Sequence, residues 1–161
     1  MLHAGLGERL GPAAAWADTC TPGDPVGLVD EGIGFAPPAA LGRVELVGDE
    51  TALPAIAGIL ADLPGDMVGC ARIEVPAAED RRELPRPVGV EVEYLVRNSD
   101  RMPGLAIAEQ VLGRSLPAES CFGWVAGEAG LVGAVRRHWV TLGAPRDRVA
   151  FCGYWRAGRS H

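Results

Sequence analysis

From residue 43 onward the sequence alternates between short apolar segments and amphipathic segments, and this alternation limits the fold more than any other feature. The apolar segments predict five strands and the amphipathic segments predict three helices between them. The strands are predicted over residues 43–48, 67–75, 90–96, 122–126 and 148–154, and the helices over 51–63, 103–112 and 129–142. Connections of this length allow parallel pairing, so the pattern predicts an α/β fold with an open parallel five-stranded sheet and flanking helices. Such sheets bind ligands beyond the carboxyl ends of their strands.

The first 40 residues have a different character, because they are rich in glycine, proline and alanine. They predict one helix over residues 11–19, one short strand over 25–29 and a linker over 32–40. The chain has 161 residues, which is enough for one ordinary domain. We therefore expect two parts, a short N-terminal segment over residues 1–40 and an α/β domain over residues 41–161.

Composition excludes several classes of function. The net charge of −6 argues against non-specific nucleic-acid binding. No apolar run reaches the length of a membrane helix and no basic apolar leader begins the chain, so we expect a cytoplasmic protein without a membrane partner. The cysteines at positions 20, 70, 121 and 152 show no zinc spacing, and we predict no metal site.

The turn after the first predicted strand has the sequence Gly-Asp-Glu-Thr-Ala over residues 48–52. Gly48 lets the backbone turn tightly into a helix, whose N-terminal N–H groups suit a phosphate, and Thr51 adds a hydroxyl group. Asp49 and Glu50 oppose this interpretation because their charges repel a pyrophosphate. The same acids are suited to capping the helix dipole. A phosphate site and a simple helix cap are therefore both open here.

Two other turns follow predicted strands. After the fourth strand, Gly127 permits close approach of a ligand, and Glu128 can bond a ribose or an amide or can belong to an ordinary tight turn. After the second strand, Arg81 and Arg82 follow two acids. In dinucleotide-binding folds, an acid at this position binds the adenosine ribose and an arginine accommodates a 2′-phosphate. A solvated charged loop is the alternative explanation for the same residues.

The last predicted strand ends in Tyr154, Trp155 and Arg156. Aromatic rings beside a guanidinium are suited to stacking on a flat ring or holding an anion, and they also occur as plain edge packing. We take the three residues as candidates for a substrate pocket and assign no catalytic residue.

Several ordered segments resemble the siderophore-interacting proteins, flavin-dependent ferric-siderophore reductases related to the ferredoxin–NADP reductases. The segment over residues 46–56, Leu-Val-Gly-Asp-Glu-Thr-Ala-Leu-Pro-Ala-Ile, resembles their signature. Matches continue at residues 92–95, at Trp-Val-Ala-Gly-Glu over 124–128, at Val-Arg-Arg-His over 135–138, and at Gly-Tyr-Trp-Arg over 153–156. Residues 11–17 and 22–28 resemble the end of the flavin-binding barrel that precedes this region in the family.

The resemblance implies an NAD(P)H-binding domain of ferredoxin-reductase type with only a remnant of the flavin-binding barrel. It implies NADPH or NADH as the cofactor, whereas FAD is not expected to bind tightly because most of its barrel is absent from the sequence. The implied contacts are Gly48, Thr51 and Ala52 with the pyrophosphate, Arg81 or Arg82 with the adenosine phosphate, Gly127 and Glu128 with the nicotinamide half, and Tyr154, Trp155 and Arg156 near the flavin; Asp49 is counted among the cofactor-site residues with no contact assigned.

Two functional hypotheses follow. The first is a truncated NAD(P)H-dependent ferric-siderophore reductase-type oxidoreductase that works with a separate flavoprotein or as a homodimer. The second is a scaffold reused without flavin, either as a cyclase or isomerase in natural-product biosynthesis or as a small-molecule-binding protein. In the second case the cleft that the flavin domain covers would be the pocket.

Overall fold

Five parallel strands form a single sheet in the computed structural model, which describes residues 12–27, 29, 34–98, 100–116 and 120–158. The strands are β1 (Arg43–Gly48), β2 (Val68–Val75), β3 (Gly89–Val96), β4 (Cys121–Glu128) and β5 (Val149–Trp155). The helices are α1 (Pro12–Thr19), α2 (Leu53–Asp62), α3 (Leu105–Leu112) and α4 (Ala129–Thr141). All helices in the described ranges are too short or too polar to span a lipid bilayer.

The strand order is β3-β2-β1-β4-β5, and every neighbouring pair is parallel. The chain moves outward from β1 to β3, crosses back and then continues from β4 to β5. The direction of winding therefore reverses between β1 and β4, which is the position where open α/β sheets bind their ligands. The predicted parallel five-stranded α/β fold is confirmed.

The two faces of the sheet carry separate apolar cores. Leu46 of β1 packs with Ile56 and Leu60 of α2 on one face, and Val47 packs with α3 and α4 on the other. Consecutive strand residues point to opposite faces, which explains why adjacent β1 residues enter different cores. Within the unit of residues 33–157, α2 is the only helix whose described residues belong to the first core.

The chain consists of two compact units, one over residues 33–157 and the other over residues 1–32 and 158–161. In the second unit, α1 lies where a helix was predicted over residues 11–19, although residue 11 itself lies outside the described residues. The strand predicted over residues 25–29 is wrong for the four described positions, 25–27 and 29, which form no ladder. A strand needs a paired neighbour, and no strand pairs with this segment in the described sheet.

Two element boundaries near the carboxyl edge of the sheet differ from prediction. The helix predicted from Thr51 begins at Leu53, and Ala52 rather than Thr51 is its N-cap. The fourth strand, predicted to end at residue 126, continues to Glu128, where α4 follows without a loop. At the start of α2, Asp49 accepts from the Thr51 N–H and keeps residues 49–52 in a turn, whereas β4 is longer because Gly127 and Glu128 still pair with β5.

Candidate functional site

The carboxyl ends of β1, β4 and β5 are joined by one carboxylate. Asp49, directly after β1, is fully buried and accepts four hydrogen bonds. Its Oδ1 accepts from the Thr51 backbone N–H at 2.9 Å and from the Thr51 hydroxyl at 2.5 Å. Its Oδ2 accepts from the Glu128 N–H at 2.6 Å and from the Trp155 Nε1–H at 3.0 Å. Asp49 therefore joins the ends of three strands.

Gly127 provides the space for this carboxylate. Its φ is 128°, in the region that favours glycine, and a Cβ added there would lie 2.5 Å from Asp49 Cγ. Gly48 is close-packed as well, because its Cβ would lie 2.5 Å from the Cβ of Ala52. Both glycines thus allow close packing between protein groups, which is a different use from the ligand approach that the sequence suggested.

Two more buried acids cap the helices on the other face. Glu128 accepts from the backbone N–H groups of Gly130 and Leu131 at the start of α4, and its second oxygen accepts from the Ala157 N–H at 3.2 Å. Glu74, near the end of β2, accepts from the Gly104 N–H at 2.8 Å and the Ile107 N–H at 3.2 Å, at the start of α3. These carboxylates satisfy N–H groups that a helix N-terminus otherwise leaves free.

Arg97, directly after β3, links two of the acids. It bonds both oxygens of Glu50, at 2.8 and 3.1 Å, and one oxygen of Glu74 at 3.1 Å. Burial acts to lower the pKa of Arg97, but the hydrogen bonds and attraction of Glu50 and Glu74 outweigh it and raise that pKa. The charge of Glu50, which the sequence analysis counted against a phosphate, is thus paired.

Helix α2 differs from α3 and α4 at its N-terminus. No glutamate side chain caps its first turn: the N–H groups of Ala52 and Leu53 donate to the backbone carbonyls of Asp49 and Glu50, and Pro54 has no N–H. Thr51 is exposed beside it, while Ala52 is buried. The Thr51 hydroxyl donates to Asp49, so its proton is not the phosphate donor that the sequence suggested. What this helix presents to solvent is its uncapped N-terminus at the β1–β4 reversal.

The other predicted residues are spread around this edge. Arg81 and Arg82 are exposed and form no ion pair with a described residue, and the Tyr94 hydroxyl bonds the Arg82 backbone at both N–H and C=O. Arg156 is exposed after β5. Among the described residues, no three His, Cys, Asp or Glu side chains are grouped as metal ligands.

A separate cavity of about 860 Å³ lies along α2 on the face that α2 covers only in part. Its walls are mainly apolar and include residues 34–42, parts of α2, Trp124 and Tyr154. Burial raises the pKa of the Tyr154 phenol above its usual value, with smaller effects of Cys152 and Asp49. Of the pocket residues predicted at the chain's end, Tyr154 lines this cavity, whereas Trp155 is bonded to Asp49.

Sequence reasoning missed Glu74 and Arg97, which fix α3 and neutralise the edge. A signal for Glu74 was present, because an acid near the end of a buried strand needs internal donors. Arg97 had no comparable signal, since its partners lie 23 and 47 residues away along the chain.

The sequence and the fold are both similar to those of known proteins. Residues 42–158 match the family model described as "Siderophore-interacting protein". The chain is 30% identical over 154 residues to the ferric vibriobactin reductase ViuB of Vibrio cholerae, covering 92% of this chain and 56% of that protein. It is also similar to the crystal structure of the siderophore-interacting protein SipS from Aeromonas hydrophila, with a TM-score of 0.72 and 32% identity over 91% of this chain and 63% of that one.

A more distant likeness shows the fold alone. The Amycolatopsis cytochrome P450 reductase GcoB has a TM-score of 0.53 and 20% identity, covering 74% of this chain and 40% of that one. The sheet and helices are therefore those of a ferredoxin-reductase-type domain. The chain spans about three fifths of the length of ViuB and SipS.

Proposed function

The chain belongs to the siderophore-interacting protein family, and on that premise we propose that it binds NADPH or NADH at the carboxyl edge of its sheet. In this proposal it is the nucleotide domain of a ferric-siderophore reductase-type oxidoreductase. The name of its relative ViuB, a ferric vibriobactin reductase, supports the reaction class. We also propose a cytoplasmic location, because reduced nicotinamide nucleotides are made there.

The observation that carries the proposal is the N-terminus of α2 at the β1–β4 reversal. The starts of α3 and α4 are each capped by a buried glutamate, whereas the N-cap of α2 makes no side-chain bond. The N–H groups of Ala52 and Leu53 bond backbone carbonyls and Pro54 has none, so the positive end of the helix dipole and the Ala55 N–H are what this turn offers an anion. A pyrophosphate therefore finds the most favourable of the three helix starts beside the turn over residues 48–52.

The charges around this turn are compatible with an anionic ligand. Asp49 is buried beneath four donors and Glu50 is paired with Arg97. Arg81 and Arg82 lie after β2, on the β3 side of the reversal, where the adenosine half of a dinucleotide would extend. Their exposed guanidinium groups form no ion pair with a described residue and can therefore contact an adenosine phosphate.

The remaining predicted residues have positioning roles in this proposal. Glu128, through its bond to the Ala157 N–H, holds the segment that carries Arg156 close to the end of β4. Gly127 leaves room for Asp49 beneath the nicotinamide half. When bound, the nicotinamide supplies a hydride, and a flavin is needed to divide its two electrons for Fe(III). We propose that this flavin belongs to a separate flavoprotein.

Calorimetric titration of the whole chain with NADPH, NADH and FAD tests the proposal. We expect saturable binding of NADPH or NADH and none, or weak binding, of FAD. Arg82→Ala should weaken NADPH more than NADH, because only NADPH carries the 2′-phosphate. Arg146→Ala is the matched control, since Arg146 is also exposed but precedes β5 at the opposite edge. Failure of both nucleotides to bind would overturn the proposal.

One observation favours the second hypothesis, a ligand-binding or cyclase-type scaffold. The cavity beside α2 has the volume and the apolar lining typical of small-molecule sites. Tyr154→Ala removes one wall at an exposed position and leaves the sheet intact. Under this hypothesis an apolar probe such as anilinonaphthalene sulfonate binds the native protein, and the variant binds it less well. An unchanged affinity would count against the cavity as a site.

A further inference from the structure

The segment between β2 and β3 carries three arginines, and two of them are offered to an incoming ligand. Arg86 donates from Nε to the Val90 carbonyl and from Nη1 to the Leu84 carbonyl, both at 3.0 Å, so its guanidinium is occupied within its own segment. Arg81 and Arg82 are exposed and form no ion pair with a described residue. An anion that approaches this segment therefore meets one of these two side chains.

Tyr94 of β3 holds the backbone of Arg82 from the sheet. Its hydroxyl donates to the Arg82 carbonyl at 2.7 Å and accepts from the Arg82 N–H at 3.2 Å, so one oxygen atom bonds both backbone groups of the arginine. The Tyr94 ring packs against the core that contains Leu46 and Ile56, and β3 pairs with β2 over residues 89–96. The point where the Arg82 side chain leaves the backbone is therefore fixed by the sheet.

The net charge of this segment does not draw a phosphate to it, because residues 79–83 contain three acids and two arginines. The Asp80 carboxylate accepts from a backbone N–H group of its own turn at 3.2 Å, while Glu79 and Glu83 are exposed. Charges spread over a solvated loop are screened, whereas a guanidinium in direct contact with a phosphate makes paired, charge-assisted hydrogen bonds. Attraction of a phosphate here therefore depends on where a guanidinium is held.

We propose that Tyr94 is a positioning residue that makes the nucleotide site prefer NADPH to NADH. The two nucleotides differ in the 2′-phosphate on the adenosine ribose, which an arginine accommodates. An arginine whose backbone is already held loses less conformational freedom when it binds, so Tyr94 acts through Arg82 without contacting the nucleotide. This inference rests on the proposed nucleotide site and adds which of the two nucleotides that site selects.

Calorimetric titration of the whole chain with four ligands tests this role: NADPH, NADH, 2′,5′-ADP and 5′-AMP. The last two lack the nicotinamide and differ only in the 2′-phosphate, so they report on the adenosine end alone. We expect the native protein to bind NADPH and 2′,5′-ADP more tightly than their counterparts. Tyr94→Phe keeps the ring in the core, and water can replace the two bonds at this exposed position. The variant should bind the two 2′-phosphate ligands about three- to tenfold more weakly and the other two less than about twofold more weakly.

The same change in an Arg82→Ala background separates positioning from a general loss of structure. Tyr94→Phe should have no further effect on NADPH there, because no guanidinium remains to be positioned. Equal weakening of all four ligands by Tyr94→Phe would overturn the inference, as would its full effect in the Arg82→Ala background or a native preference for NADH. In each of those results the nucleotide site itself survives. Failure of all four ligands to bind would overturn the proposed nucleotide site, and this inference with it.

Discussion

Replacing Asp49 by asparagine removes the charge that joins β1, β4 and β5 while keeping the size of the side chain. One carboxylate oxygen becomes an NH₂ group, which donates and cannot accept. Whichever oxygen is replaced, two present donors then face another donor. These are either the N–H and hydroxyl of Thr51 or the N–H of Glu128 and the Nε1–H of Trp155.

The cost follows from the number of bonds lost and from the burial of the site. A hydrogen bond to a charged group contributes about 1.5–3 kcal/mol, and two are lost. The Thr51 hydroxyl can rotate to accept from the new amide, which recovers part of the loss. We therefore expect Asp49→Asn to lower the free energy of unfolding by about 3–5 kcal/mol. For a chain of this size that corresponds to a fall in Tm of about 6–20 °C.

Urea denaturation followed by circular dichroism measures this change, and tryptophan fluorescence reports on the loss of the Trp155 bond. Asp66→Asn is the control, because Asp66 is an exposed carboxylate before β2 and its neutralisation should change stability by less than about 0.5 kcal/mol. A loss below about 1 kcal/mol for Asp49→Asn, the value of one neutral hydrogen bond, would refute the idea that this carboxylate joins the strand ends.

Further expectations concern the cysteines, a buried ion pair and a glycine. Iodoacetamide at pH 8 should modify two thiols in the native protein, because burial raises the pKa of the other two to about 12; the reactive pair is Cys20 and Cys152, and the protected pair is Cys70 and Cys121. Because the fold raises the pKa of these two thiols from the ordinary 9.0, it favours their protonated form. This contribution to the free energy of unfolding is complete below pH 9 and should be lost as the pH rises toward 12 in denaturation experiments. Arg72→Met leaves buried Glu45 with only the longer contact to Arg43, at 3.5 Å, and should cost about 2–4 kcal/mol in urea denaturation, part of which Glu45→Met in the same chain should restore. Gly127→Ala should be destabilised by several kcal/mol in the same assay, because of its positive φ and its contact with Asp49, whereas Gly65→Ala meets open space and should change little.

The fold could be predicted from the sequence because its signals are local. Each strand of the sheet carries an apolar run and is followed by a turn or a helix start, so the order of elements followed directly. The strand predicted over residues 25–29 was wrong because a local pattern was not sufficient there. Residues 25–29 have a strand-like composition, but a strand depends on a neighbour that a local pattern does not reveal.

The sequence predicted where the candidate site lies but not which groups its acidic side chains would bond. The turns after β1 and β4 were identified from their small residues, and the strand order brings them together at the reversal. The bonds that join the strand ends were not predictable, because their partners lie far apart in the chain; the Asp49–Trp155 bond spans 106 residues and the Asp49–Glu128 bond spans 79. An acidic residue after a strand looks the same in sequence whether it faces a ligand or a backbone N–H group.

The buried acids also bear on where an anion can bind. Glu74 and Glu128 place negative charge at the starts of α3 and α4, so those helix ends are closed to a phosphate both by occupancy and by repulsion. The start of α2 has no glutamate cap, and of the two acids in the turn before it, Asp49 is buried beneath its donors and Glu50 is paired with Arg97. Arg97→Gln would release Glu50 and restore its full charge beside the turn. We therefore expect that variant to bind NADPH more weakly at low salt, with the difference shrinking as salt screens the charge. Equal loss at every salt concentration would instead indicate that Arg97 acts by holding α3 in place through Glu74.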